Sequence, residues 1–109
     1  MKQLQNSVQL IGRLGDDIQV QETGNGNKWA RVNVATNEVY YNKEGEKVQN
    51  TTWHNCVAWG KTAENLGEYA GKGAQVAING KLTNRNYDDK QGVKRYVTEV
   101  HVNEFMLLG

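Results

Sequence analysis

Trp53 and Trp59 stand six positions apart in the run Thr52-Trp53-His54-Asn55-Cys56-Val57-Ala58-Trp59, which ends in Gly60-Lys61. The run holds no Gly or Pro and reads as a strand. Period-two alternation then puts Trp53, Asn55, Val57 and Trp59 on one face and His54, Cys56 and Ala58 on the other. Two indoles therefore share one sheet surface. If that surface is wet, the pair is a stacking platform for unpaired nucleobases, because every base offers a π-face whatever its identity. If it is dry, both rings fill a core.

The other reactive side chains point away from catalysis. His54 lies on the opposite parity from Trp53, which suits packing or a subunit contact better than acid–base work. Cys56 shares that face, and nothing in the adjacent strand pattern marks it as an activated thiolate, so it reads as a small buried hydrophobe. His54 and His101 are too few for a metal site, and no cofactor is implied. Asp16-Asp17 and Asp88-Asp89 are adjacent pairs, which serve turns better than two-carboxylate chemistry. The expectation is a protein that is not an enzyme.

Composition narrows the partners less than placement does. The 109 residues suit a single domain spanning 1–109, able to bury roughly two-thirds of its unfolded surface without metals or disulfides. Thirteen Lys and Arg against twelve Asp and Glu leave a net charge of +1. A polyanionic partner must therefore be argued from where the charges lie, not from their sum. The single cysteine excludes an intramolecular disulfide, and the N-terminus pairs no basic segment with an apolar one, so a cytoplasmic location is expected. No apolar stretch approaches the roughly 20 residues that cross a bilayer, and no membrane partner is expected.

Short Val- and Thr-rich segments alternate with Gly- and Asn-rich breaks at nearly even spacing, the pattern of a small antiparallel barrel or sandwich. A first strand spans about Leu4 to Leu14, bent at Gly12 and Gly15, with Ile18 and Val20 resuming the alternation. Gly24-Asn25-Gly26-Asn27 makes a tight turn. The second strand, about Lys28 to Glu38, sets Ala30, Val32 and Val34 against Trp29, Arg31 and Asn33. Val39 to Asn50 is polar and reads as a long mobile hairpin tip. After the Trp53 strand, Ala63, Leu66, Tyr69 and Ala70 fall at helical spacing, with Thr62 as N-cap and Gly71 as stop. Gln75 to Tyr87 turns Val76, Ile78, Gly80 and Leu82 inward, and Val93 to about Met106 closes the order. An all-β chain with one short helix, β-β-β-α-β-β, has the order of the five-stranded Greek-key oligonucleotide-binding barrel. Strand parity adds Arg13, Arg31 and Lys81 as candidate phosphate contacts beside the platform.

Five fragments, in order, resemble the bacterial-type single-stranded DNA-binding proteins from about Val8 to Val102. They are Leu10-Ile11-Gly12-Arg13-Leu14-Gly15; Val34-Ala35-Thr36-Asn37-Glu38; Thr51-x-Trp53-His54-x-x-Val57-x-Trp59-Gly60-Lys61-x-Ala63-Glu64; Lys72-Gly73-x-Gln75-Val76-x-Ile78-x-Gly80-x-Leu82; and Arg85-x-Tyr87-x-Asp89 with Arg95-Tyr96-x-Thr98-Glu99-Val100. The resemblance implies a sequence-tolerant binder of single-stranded DNA that assembles as a homotetramer and wraps the strand during replication, recombination and repair. It implies base stacking on Tyr40, Trp53, Trp59 and Tyr87, phosphate contacts from Lys43, Lys61, Lys72 and Arg85, and a subunit contact at His54. A cytoplasmic, nucleoid-associated location follows.

Two features depart from the family pattern. Full-length members usually continue into a flexible tail whose acidic and aromatic tip recruits repair and replication enzymes; this sequence ends at Leu108-Gly109, so recruitment through such a tip is not expected of it. Trp29 stands where related chains tend to carry small aliphatics, and subunit packing is favoured over a fifth stacking role. The rival functions are an oligonucleotide-binding barrel acting as a primosome accessory or protein-interaction subunit, and a nuclease-like barrel.

Overall fold

The structure is a computed structural model that describes residues 4–108. After a 3-10 turn at Leu4–Asn6 come β1 (Val8–Leu14), β2 (Gln21–Glu22), β3 (Lys28–Tyr41), β4 (Lys47–Trp59), α1 (Gly60–Tyr69), β5 (Gln75–Asp88) and β6 (Lys94–Leu107). The strands hydrogen-bond in the order β1-β5-β6-β4-β3-β2, and β1 also pairs with β3. That last pairing closes five strands into a barrel, the expected fold.

β1 closes the barrel by changing partners. Val8 to Arg13 pair with Gly80 to Gln75 of β5, and Arg13 and Leu14 pair with Ala35 and Val34 of β3. Gly12 makes the change possible, since a Cβ there would run into the Ala35 carbonyl, and only a glycine lets two backbones approach so closely. The strand starts at Val8 because Leu4–Asn6 forms the 3-10 turn, where Asn6 holds the backbone of Leu82 through its side-chain amide. Ile18 and Val20 do not resume a strand. Ile18 packs on the core and Val20 meets Gly67 of α1.

The interior is aliphatic and small. Ala30, Val32 and Val34 of β3 face Cys56 and Ala58 of β4, and Leu66, Val76, Ile78, Val100 and Val102 complete the core. Burying one such side chain contributes about 1.5–3 kcal/mol, which fixes strand register, because a one-residue slip would turn every one of them outward. Burial raises the Cys56 thiol pKa to about 12, with the Glu99 carboxylate adding to the shift.

α1 packs on the core with Ala63 and Leu66, and Ala70 just beyond its end is buried too, while Tyr69 is exposed at 63%. Thr62 is not its N-cap. The helix begins at Gly60, directly after β4, with Trp59 at the cap position and no side-chain cap. Gly60 at φ 61 makes the corner in one residue, a conformation open chiefly to glycine. The strand therefore runs into the helix without a capping loop.

The largest departure concerns the two hairpins. Residues 39–50 form the expected hairpin, but its strands pair further than Glu38: the β3–β4 ladder continues unbroken through Val39↔Gln49 and Tyr40↔Val48 to Tyr41↔Lys47. Asn42 closes it, its Oδ1 accepting from the backbone N–H of Glu44 and Glu46 at 3.0 and 2.9 Å. β5 and β6 form a second ribbon, closed by Asp89, whose Oδ1 accepts from Gln91 and Val93 N–H at 2.9 Å each. The polar composition of both segments reflects solvent on both faces, not loss of pairing. For the same reason Leu82 is 49% exposed rather than inward: β5 leaves the barrel wall after the irregularity at Asn79/Gly80.

Candidate nucleic-acid interface

Register fixes which side chains share the outer surface of β3 and β4. Trp29 pairs with Trp59, Arg31 with Val57, Asn33 with Asn55 and Ala35 with Trp53, so all eight alternate outward while Ala30, Val32 and Val34 point in. Trp53 is 61% and Trp59 45% exposed. The platform is wet.

Each indole is held differently. Trp53 lies across Gly15, where an added Cβ would strike its six-membered ring; the glycine is the seat that lets the ring lie flat on the barrel. Trp59 is propped by Trp29, with ring centroids 6.2 Å apart and planes tilted by 33°, inside the favourable range for aromatic pairs. Arg31 sits over the other indole of that pair, its Cζ 5.8 Å from the Trp29 centroid. Within the chain Trp29 lies beside Trp59 on the outer face. Its signal lay in the register: parity alone put it outward, and only the cross-strand pairing put it against Trp59.

Val57 is only 8% exposed despite its outward parity. It floors a hollow of about 250 Å³ walled by Trp29, Arg31, Trp59, Arg85 and Glu99. Arg85 reaches in from β5, its Nε donating to Glu99 Oε1 at 3.1 Å, and its Cζ stands 5.7 Å from the Tyr87 centroid. Tyr87, 43% exposed, thus continues the aromatic surface onto the second ribbon. Cations stacked on exposed rings contribute about 0.5–1 kcal/mol and leave their N–H groups free for phosphates.

The remaining candidates divide. Lys72 lines a larger hollow with Arg31, Asn33, Asp16 and Asp17, adjoining the platform through Arg31. Lys61 sits at the start of α1, 3.9 Å from Glu64 and 82% exposed. Glu64 is bound more closely by Lys28 at 2.9 Å; this hydrogen bond raises the Lys28 pKa and lowers that of Glu64. Lys43 is exposed in the first hairpin turn. Arg13 is partly committed, its Nη1 donating to the Gly73 carbonyl at 2.9 Å. Lys81 lines a hollow apart from the platform, with Asn6, Ser7, Asn79 and Glu104.

Tyr40 and Tyr41 exchange the expected emphasis. With no bulge in the ladder, Tyr41, 70% exposed, falls on the parity of Trp53, and Tyr40, 47% exposed, on that of His54. Sequence reasoning passed over Tyr41; counting alternation from Trp53 through the hairpin would have found it. His54 Nε2 is 2.9 Å from Thr36 Oγ1, bridging β3 and β4 away from the indoles. Among the described residues no group of His, Cys, Asp and Glu could hold a metal ion, and no helix is long and apolar enough to cross a membrane.

The arrangement has counterparts in known proteins. Residues 5–108 match the single-strand binding protein family. The chain is 41% identical over 105 residues to "Single-stranded DNA-binding protein 1" of Xylella fastidiosa, covering 95% of this chain and 77% of that protein. It is 38% identical to "Single-stranded DNA-binding protein" of Neisseria meningitidis over 95% of this chain but 60% of that one. It superposes on the Plasmodium falciparum SSB solved in complex with ssDNA with a TM-score of 0.85, at 27% identity, covering 100% of this chain and 98% of that one. A closed five-stranded barrel, an aromatic outer face and a match along nearly its whole length carry one conclusion: the chain belongs to the single-strand binding protein family.

Proposed function

We propose that the chain binds single-stranded DNA with little regard to sequence and shields it during replication, recombination and repair. The observation that carries this reading is the solvent-facing row of Trp53, Trp59 and Tyr87, with half-buried Trp29 beside Trp59, interleaved with Arg31 and Arg85. Bases stack on the rings, each contact worth about 1–3 kcal/mol. Arg31, Arg85, Lys61, Lys72 and Lys43 neutralise phosphates, with Tyr40 and Tyr41 extending the surface along the first ribbon. The total charge is near zero, so phosphate attraction depends on these individual cations rather than on the sum. The reading assigns no catalytic step and places the protein in the cytoplasm with the nucleoid.

The same reading assembles the chain as a homotetramer. An aliphatic row on β1, β5 and β6 supports it: Ile11 pairs with Ala77 and Ala77 with Met106, with Ile11 and Met106 54% and 64% exposed. Such an aliphatic row without aromatic rings suits a second copy of the chain better than nucleic acid.

Titrating the protein with a thymidine homopolymer while following tryptophan fluorescence is the test. Stacking quenches the indoles strongly; unchanged emission at saturating strand sinks the proposal and favours a protein-interaction barrel. Incubating labelled strands with divalent metal checks the nuclease alternative, and intact strands are expected.

A further inference from the structure

The hollow between Trp29 and Arg85 contains a group that general stacking does not use. Glu99 is 8% exposed on the outer side of β6, in the middle of a surface meant for a polyanion. Its Oε1 accepts from Arg85, but its Oε2 is shut off from solvent and has no hydrogen-bond partner among the described residues. A buried carboxylate oxygen left unpaired is costly, and it repels phosphates and base carbonyls alike. It is stabilised by an N–H donor. We propose that Trp29, Arg31, Val57, Trp59, Arg85 and Glu99 form a pocket for one base of the bound strand, in which Glu99 selects a base carrying an exocyclic amino group.

The chemistry follows from the walls. Trp29 and Trp59 supply π-surface, Val57 supplies an apolar floor, and the volume of about 250 Å³ holds one base ring. Arg85, with a side chain 44% exposed, keeps its Nε–H on Oε1 and swings its terminal N–H groups outward to the phosphate of the same nucleotide, which opens Oε2. The amino group of cytosine, and by the same logic of adenine or guanine, then donates to Oε2. Thymine presents a carbonyl at that edge and meets the carboxylate with like polarity. The protein thus tolerates any sequence overall yet favours an amino-bearing base at one slot per chain.

This rests on the single-strand reading, and the experiment separates the two. Affinity is measured for an all-thymidine strand and for the same strand with one central 5-methylcytosine, which differs from thymine in bearing the amino group and the matching ring-nitrogen state. For the wild type the single substitution should tighten binding by about fivefold, the low end of one base-edge contact. Glu99→Gln keeps the side-chain shape; with its oxygen retained by Arg85, it turns an amide N–H₂ toward the base, and the preference should vanish or reverse. If Glu99→Gln does not fold, as judged by circular dichroism, Glu99→Asp withdraws the oxygens by one methylene and should also abolish the gain. Equal wild-type affinity for both strands, or a preference that survives in a folded variant, overturns the pocket while leaving single-strand binding intact. Failure to bind either strand overturns the reading beneath it.

Discussion

Two exposed apolar surfaces lie on different walls of the same barrel, and their difference is instructive. On β3 and β4 the exposed hydrophobics are indoles interleaved with guanidinium groups, each ring held by a neighbour: Trp53 by Gly15, Trp59 by Trp29. On β1, β5 and β6 they are Ile11 and Met106, aliphatics with no aromatic ring or stacked guanidinium between them, Met106 lying beside Gln9, Asn79 and Glu104. Apolar area alone would not tell the two apart. Preorganised flat rings with nearby positive charge match nucleotides, whereas aliphatic chains without stacked cations match another protein surface.

Substitutions that remove one surface and spare the other test that distinction. The largest effect is expected from the indoles: Trp53→Ala and Trp59→Ala should each weaken single-strand binding by about 1–3 kcal/mol without changing the oligomeric state, read by strand titration and light scattering. Met106→Asp should do the converse. It should shift the assembly to smaller species in light scattering while affinity for a strand short enough for one chain changes little.

Gly15→Ala sharpens the comparison, because it alters no ring. The new Cβ must displace the Trp53 indole, and binding should fall by about 1 kcal/mol with thermal stability nearly unchanged. Loss equal to that of Trp53→Ala would mean that the seat matters as much as the ring. Lys61→Ala should reduce the slope of log affinity against log salt by about 0.7, the value for one phosphate contact on a single strand. An unchanged slope would remove Lys61 from the DNA path.

The smallest effect is a pH dependence of the Tyr87 ribbon. Hydrogen bonds from Val93 N–H, Arg95 and Gln91 N–H hold the Asp89 carboxyl below its ordinary 3.8. A carboxylate with a depressed folded pKa contributes stability that is fully present above the unfolded value and lost as pH falls through the folded one. The turn at Asp89–Val93 should therefore loosen below about pH 4, read as faster amide exchange at Val93. In Asp89→Asn that titration should disappear.

How much of this was legible beforehand varies by element. Alternation in Thr52–Trp59 and in Lys28–Val34 correctly divided inward from outward residues, because each strand has one face on a core and one in water. The same alternation misjudged Val39–Asn50, where both faces are wet and no hydrophobic contrast marks the ladder. It also placed Leu82 inside, since periodicity cannot say where a strand leaves its barrel. Thr62 looked like a cap because turn chemistry was judged without the single left-handed glycine that made a cap unnecessary.

The sequence by itself determined the barrel, the outward pair Trp53 and Trp59, and the absence of global charge bias, because these depend on local alternation, glycine placement and residue counts. Only the tertiary structure decided that Trp29 props Trp59, that Gly15 seats Trp53, that Tyr41 shares the parity of Trp53, and that Glu99 is paired with Arg85 through one oxygen and leaves the other unpaired. Those facts are relations between strands, set by register and by the curl that closes the barrel, and no single strand encodes them.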